Sequence, residues 1–264
     1  MTSDGLAQFL ADEVSPLRSS AVLGAFVVFC RVGGCLMLAP GIASPQVPVQ
    51  VRLYVAMAVS LSMTPVAIDA QFLATLDRSA AATVKAILCE LAIGVYIGIM
   101  ARLFFLALET IASAVATMLG FSNPFGMQVE AGEALSPFAT LIASAATVLI
   151  FASDLHLEIL KGIASSYRTI PIGSDFNPRF ALRTLTDVFD LSFRTGLRVC
   201  SPFFIYHVVV NFAAGLVSRV TPQLSVYSIA TPFVLCGGLV LLVFTVRPIL
   251  DAFESVFGAW LTWG

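Results

Sequence analysis

The sequence is poor in charge. Asp, Glu, Lys and Arg make up 11% of 264 residues, and Lys85 and Lys161 are the only lysines among the 14 basic side chains. The formal net charge is −2. So small a balance implies no polyelectrolyte partner and gives nucleic-acid binding no support. No basic cluster precedes the first apolar run, where Asp4, Asp12 and Glu13 stand instead. That start is unlike a cleavable signal peptide, so the first apolar segment is expected to be retained. Cysteine is scarce and odd in number: Cys30, Cys35, Cys89, Cys200 and Cys236 lie in or beside apolar runs, with no CxxC and no neighbouring histidine cluster. They read as small buried hydrophobes, and neither a metal site nor a disulfide framework is expected. HExxH, GxSxG, GxxxxGK(S/T) and GxGD are all missing. No nucleophile and base can be paired, which argues against an enzyme.

What remains is apolar. The AVILMFWYC set makes up 58% of the chain and mean hydropathy is +0.95. Both exceed a soluble domain's share, so the class is an integral membrane or membrane-associated protein. A spanning helix needs about 20 apolar residues. Ser19–Pro40, Val51–Ile68, Val84–Leu108, Ser136–Ser153, Val199–Leu216 and Val226–Val246 approach that length, and Thr110–Phe121 is a thinner run. Charges interrupt several of them. Arg31 sits midway in "VVFCRVGGCL", and Lys85, Glu90 and Arg102 lie in the third run. Each would cost roughly 2.5–3.5 kcal/mol at a bilayer centre. Lys85 and Arg102 fit snorkelling from helix ends. Arg31 and Glu90 do not, and are expected in buried intersubunit or intrahelix pairs. Gly94 and Gly98 form a small-xxx-small face, as do Ala112, Ala116 and Gly120, suited to close helix packing.

Punctuation is strong between the runs. Pro40, Pro45 and Pro48 predict an extended connector that ends before a helix at about Val49. Pro171, Gly173 and Pro178 mark a second break. The segment Arg179–Arg198 then places Arg179, Arg183, Asp187, Asp190, Arg194 and Arg198 within one arc of roughly 100°. It predicts an amphipathic helix with a charged stripe, wet or docked on a polar partner, with Asp190 and Arg194 at favourable i,i+4 spacing. His207 and Asn211 make a small polar patch on one helix face. Asp154, His156 and Glu158 read as a polar collar at a helix end.

"TMLGFSNPFGMQVEAGEALSP" (Thr117–Pro137) is a break of another kind. Gly120, Pro124 and Gly126 oppose a helix, while Met118, Phe121, Phe125 and Met127 are bulky and deformable. From the residues alone, an ordinary interhelical loop and an apolar seal both stand.

Three stretches carry a resemblance along nearly the whole chain. "CRVGGCLMLAPGIASPQVPVQVRLYVAMAVSL", with Arg31, Pro40, Pro48 and Arg52, is similar to the N-terminal signature of the FliR/SctT family of type III export-gate membrane proteins. "HLEILKGIASSYRTIPIG" is similar to the family's central landmark. "GLVSRVTPQLSVYSIATPF" resembles its C-terminal hairpin turn, through Arg219, Pro222, Gln223 and Leu224. The resemblance implies an all-α membrane-associated fold of broken and hairpin helices, with a FliP-like part (1–178) fused to a FliQ-like hairpin (179–264). It implies a non-enzymatic subunit without cofactor or metal, in the inner membrane within the flagellar basal body, with an injectisome subunit as the alternative. The implied partners are FliP-like and FliQ-like subunits, FlhB-like and FlhA-like export proteins, and unfolded protein substrates. Arg31, Arg52, Glu90, Gly94 and Gly98 would then pack against neighbouring subunits. The loop at about 118–133 would correspond to the family's plug: Met118, Leu119, Gly120, Phe121, Ser122, Asn123, Pro124, Phe125, Gly126 and Met127. A secondary transporter would need an internal repeat, and the two halves show no convincing self-similarity. A membrane scaffold without a pore is the remaining class.

Overall fold

A computed structural model describes residues 21–44, 47–68, 80–120, 137–174, 178–221 and 226–263. Seven helices make up its regular structure: α1 (Ala21–Leu36), α2 (Val49–Ala67), α3 (Ala80–Met118), α4 (Pro137–Ala152), α5 (Leu155–Thr169), α6 (Pro178–Val220) and α7 (Val226–Trp263). The fold is all-α, as the apolar runs require. Four helices, α2, α3, α6 and most of α7, are long and apolar enough to cross a membrane. A fifth candidate is the pair α4–α5, bent by 71° at a short break.

Two runs merge where a boundary was expected. Val84–Leu108 and the part of the next run up to Met118 lie in one helix of 39 residues, because Glu109 alone does not interrupt helical hydrogen bonding. The amphipathic segment and the following apolar run likewise form one helix of 43 residues that includes Pro202. Arg102 therefore lies inside α3 and not at its end, so an end-of-helix placement does not apply to it. Lys85 is exposed near the start of α3. The connector before α2 is built of turns over 37–43 and is not extended there, with Ala43 donating to the Ala39 carbonyl at 2.9 Å. The proline boundaries hold: Pro48 precedes the first residue of α2, and Pro171–Ser174 separates α5 from α6.

The chain forms two compact units, and neither is continuous in sequence. The first comprises Met1–Arg102 and Ile159–Thr184, the second Leu103–Glu158 and Leu185–Gly264. In the first, α1 lies against the opening half of α3, and Val27 and Ala86 are buried with Leu23, Ile87 and Ile172 packed around them. In the second, the core is aromatic. Phe105 meets Phe253 edge-on at 5.4 Å and Phe104 meets Phe257 at the same separation, while Trp260 lies 5.3 Å from Phe104. Quadrupole-matched contacts of this kind add about 0.5–1.5 kcal/mol each beyond area burial. They fasten the second half of α3 to the end of α7.

The outside is greasy. Only Ala56 and Ser60 of α2 are buried, and Phe212, Val220, Phe233 and Phe244 stand out from α6 and α7. An apolar surface this extensive marks contact with lipid or other subunits.

Candidate functional site

The buried charges come together in the first unit. Arg31 on α1 and Glu90 on α3 are both fully buried and face one another. The Arg31 Nε donates to Glu90 Oε2 at 2.6 Å and Nη2 donates to Oε1 at 2.9 Å, a fork-on-fork ion pair. The remaining guanidinium hydrogens reach the start of the second break. Nη1 donates to Ser166 Oγ at 3.2 Å, and Nη1 and Nη2 each donate to the Ile170 carbonyl at 3.0 Å. All five N–H donors of the arginine are thus engaged. Its flat face lies 4.1 Å from the Tyr167 ring centroid, a cation–π contact. Glu90 Oε1 also accepts from the Gly173 amide at 3.4 Å.

The pair therefore runs between two helices of one chain, not between subunits or within one helix. Sequence reading missed Ser166, Tyr167, Ile170 and Gly173 as its partners. The signal was present in another form: all four lie in "HLEILKGIASSYRTIPIG", the central landmark, so two stretches that mark the resemblance meet in one buried network.

Glycines let the backbones close on it. A β-carbon on Gly94 would collide with the Arg31 carbonyl, and one on Gly98 would stand 2.8 Å from the Cys35 carbonyl oxygen. These two residues thus pack α3 on α1 within the chain. Arg52 serves a local purpose in the first turn of α2. Its Nε and Nη2 donate to the Val47 carbonyl at 3.1 and 2.9 Å, and Nη2 also reaches the Ser44 carbonyl. The side chain thereby secures the proline-rich connector to the helix it precedes.

The second unit holds the described beginning of the stretch Thr117–Pro137. Thr117 and Met118 end α3 and are exposed, whereas Leu119 is buried. Gly120 has φ 75° and open space where a β-carbon would be, so its conformation and not its size calls for glycine. Phe121, Ser122, Asn123, Pro124, Phe125, Gly126 and Met127 lie outside the described residues, as do Pro222, Gln223 and Leu224 of the hairpin turn. Arg219 stands in the last turn of α6, where a cation suits the helix dipole.

A pocket of about 170 Å³ opens beside the end of α3, with Met118–Gly120 on one wall, His207 and Asn211 on another, and Thr231 of α7 on a third. The polar patch read from the i,i+4 spacing is a real contact: Asn211 Nδ2 lies 3.0 and 3.2 Å from the two ring nitrogens of His207. Next to it, the Tyr206 hydroxyl lies 3.2 Å from the Val234 carbonyl and 3.3 Å from that of Phe233. Gly237 makes room, since a β-carbon there would collide with that hydroxyl.

The charged stripe of α6 is exposed along its length, and Arg194 pairs with Asp190 at 2.8 Å on its surface. Asp154 stands just past the end of α4, in the α4–α5 break, with φ 57°, and His156 and Glu158 follow in the first turn of α5. No group of three or more metal-ligating side chains occurs among the described residues. The cysteines there are all free, Cys30, Cys35 and Cys200 being buried and Cys236 exposed.

These features define a multi-span, all-helical membrane protein whose internal charge is neutralised by its own helices. The family described as bacterial export proteins, family 1, matches residues 22–260, and the chain belongs to it. It is 28% identical over 220 residues to the flagellar biosynthetic protein FliR of Caulobacter vibrioides, covering 83% of this chain and 86% of that one. The protein of the same name from Escherichia coli is 27% identical over 228 residues, covering 86% and 85%. That from Aquifex aeolicus is 28% identical over 242 residues, covering 87% of each.

Proposed function

We propose that the chain is a subunit of the flagellar type III export gate, lodged in the bacterial inner membrane within the basal body. There it helps form and seal the entrance channel for unfolded flagellar substrates. The observation that carries this reading is the breadth of the match: relatives named flagellar biosynthetic protein FliR align over 83%, 86% and 87% of the chain. Because those names are flagellar, the flagellar branch is favoured over the injectisome branch.

The physical features fit a gate subunit. Its partners are FliP-like and FliQ-like subunits, with FlhB-like and FlhA-like proteins beyond them, and the apolar outer faces of α2, α6 and α7 are suited to such neighbours. The chain works without chemistry of its own; it acts by occupying and shaping a passage. Residues 118–127 supply the seal, in which Phe121, Phe125, Met118 and Met127 fill an irregular lumen and keep it dry. Gly120 turns the chain out of α3, and Pro124 prevents the loop from rejoining the helix.

Deleting Phe121–Met127 tests the sealing role. The deleted chain is expected to assemble with its partners and to leave the complex leaky to ions or small solutes in a bilayer recording. An assembled deletion complex as tight as the parent would overturn it.

A further inference from the structure

We propose that the exposed face of α6 over 187–198 docks an amphipathic helix of a neighbouring subunit, one that sets carboxylates against Arg194 and Arg198 and a basic side chain against Asp187. The proposal rests on the reading of the chain as one subunit of an assembly. At about 100° per residue the segment divides into three faces. Val188, Ser192, Thr195 and Val199 are buried and form the inward face, where Gly196 lies tight against Ile111 of α3. Away from it run two rows at i, i+4, i+8 spacing. Phe189, Phe193 and Leu197 make an apolar row, 53%, 41% and 41% exposed. Asp190, Arg194 and Arg198 make a charged row beside it, also exposed.

Neither lipid nor water suits the apolar row. Hydrocarbon would have to admit Asp187, Asp190, Arg194 and Arg198 along with it, on the same stretch of helix, and charges are kept from that depth unless they face protein or water. Water would be left against a continuous ridge. In that ridge the Phe189 and Phe193 rings stack, their centroids 6.1 Å apart and their planes within 11°. An exposed apolar patch rimmed by polar groups marks a protein contact. Rows at i, i+4 spacing are also the ridges that a second helix receives in its grooves.

The charged row specifies what that helix carries. The Asp190–Arg194 ion pair uses Nε of the arginine, at 2.8 Å, so its two Nη groups remain for a second carboxylate, which a guanidinium receives in a fork. Asp187 and Arg198 form no ion pair with another described residue. Arg194 and Arg198, one turn apart, repel each other, as do Asp187 and Asp190, and an opposite charge set between the members of each couple relieves both. The acidic and basic ends lie about 11 Å apart along the axis at the helical rise. The docked helix therefore carries the reverse order of charge at that separation. An anionic lipid surface would suit the arginines and be repelled by the aspartates one to two turns away.

The test places the photo-crosslinker p-benzoylphenylalanine at Phe189 in the full chain, co-expressed with the cell's own FliP-like and FliQ-like proteins. Intact membranes are irradiated and the adduct is identified by peptide mass spectrometry. The expected adduct is a helical segment of a partner subunit that carries both acidic and basic side chains. Arg198→Glu is expected to cut its yield about tenfold, since the reversed charge repels where the parent attracts. Arg198 is exposed, so the chain's own packing is unaffected. Reversing the partner's acidic residue to lysine in the Arg198→Glu background is expected to restore the yield. An adduct to lipid alone, to this chain or a second copy of it, or to no protein would overturn the proposal. So would a yield that Arg198→Glu leaves unchanged. Co-purification of the parent chain with those proteins is scored separately. A complex that forms without the adduct removes the docking surface and leaves the gate reading standing, whereas absence of any complex removes both.

Discussion

Arg31 and Glu90 are each fully sheltered from solvent, so each depends on the other for its charge. Removing one partner of such a pair strands the other and costs about 3–5 kcal/mol, whereas an apolar replacement of both costs far less. Arg31→Leu and Glu90→Leu are therefore each expected to lower the melting temperature in detergent sharply, with the double variant melting above either single one. Arg31→Lys is expected not to rescue, because one ammonium cannot make the fork to Glu90 and still reach Ser166 and Ile170. The glycines give a second contrast. Gly94→Ala drives a methyl into the Arg31 carbonyl, while Gly162 has nothing within 4 Å of its would-be β-carbon. The first substitution should destabilise the chain, and the second should be neutral or stabilise it by up to about 1 kcal/mol through helix propensity. Comparing the two melting curves separates close packing from propensity. At this scale the sequence was legible in kind and not in partner. An arginine and a glutamate inside apolar runs announce burial, but hydropathy has no term for which helices meet.

The α4–α5 break shows what governs the elements. Ser153 donates to the Leu149 carbonyl at 2.8 Å and ends α4, and Leu157 donates to the Asp154 carbonyl at 2.9 Å as α5 begins. Between them Asp154 holds φ 57°, a left-handed conformation that glycine adopts without steric cost and aspartate tolerates. Asp154→Gly is expected to be neutral or to raise stability by up to about 1 kcal/mol in thermal unfolding, and Asp154→Val to lower it by more than that. A stabilising Asp154→Val would contradict this account of the bend. Sequence punctuation found the breaks that proline marks, at Pro48 and before Pro178. It missed this one as a backbone turn, because no proline or glycine stands there. It also divided α3 and α6 where hydropathy changes, although helical hydrogen bonding continues through both boundaries.

At the scale of the molecule, the buried arginine and glutamate are matched, and outside the charged stripe of α6 much of the exposed helix surface is apolar. The class was legible from composition, since a chain with 58% apolar residues and 11% charged ones cannot place its surface in water alone. The two compact units were not legible, because each joins segments far apart in the chain and periodicity reads only neighbours. On the proposed function, the chain reaches its working state in company and should neither seal nor conduct by itself. Co-expression of the tagged chain with the cell's own FliP-like and FliQ-like proteins, followed by purification and mass measurement, tests this most directly. The account predicts one stable complex containing all three. A chain that purifies alone in the presence of both, and moves a small solute when reconstituted without them, would contradict it.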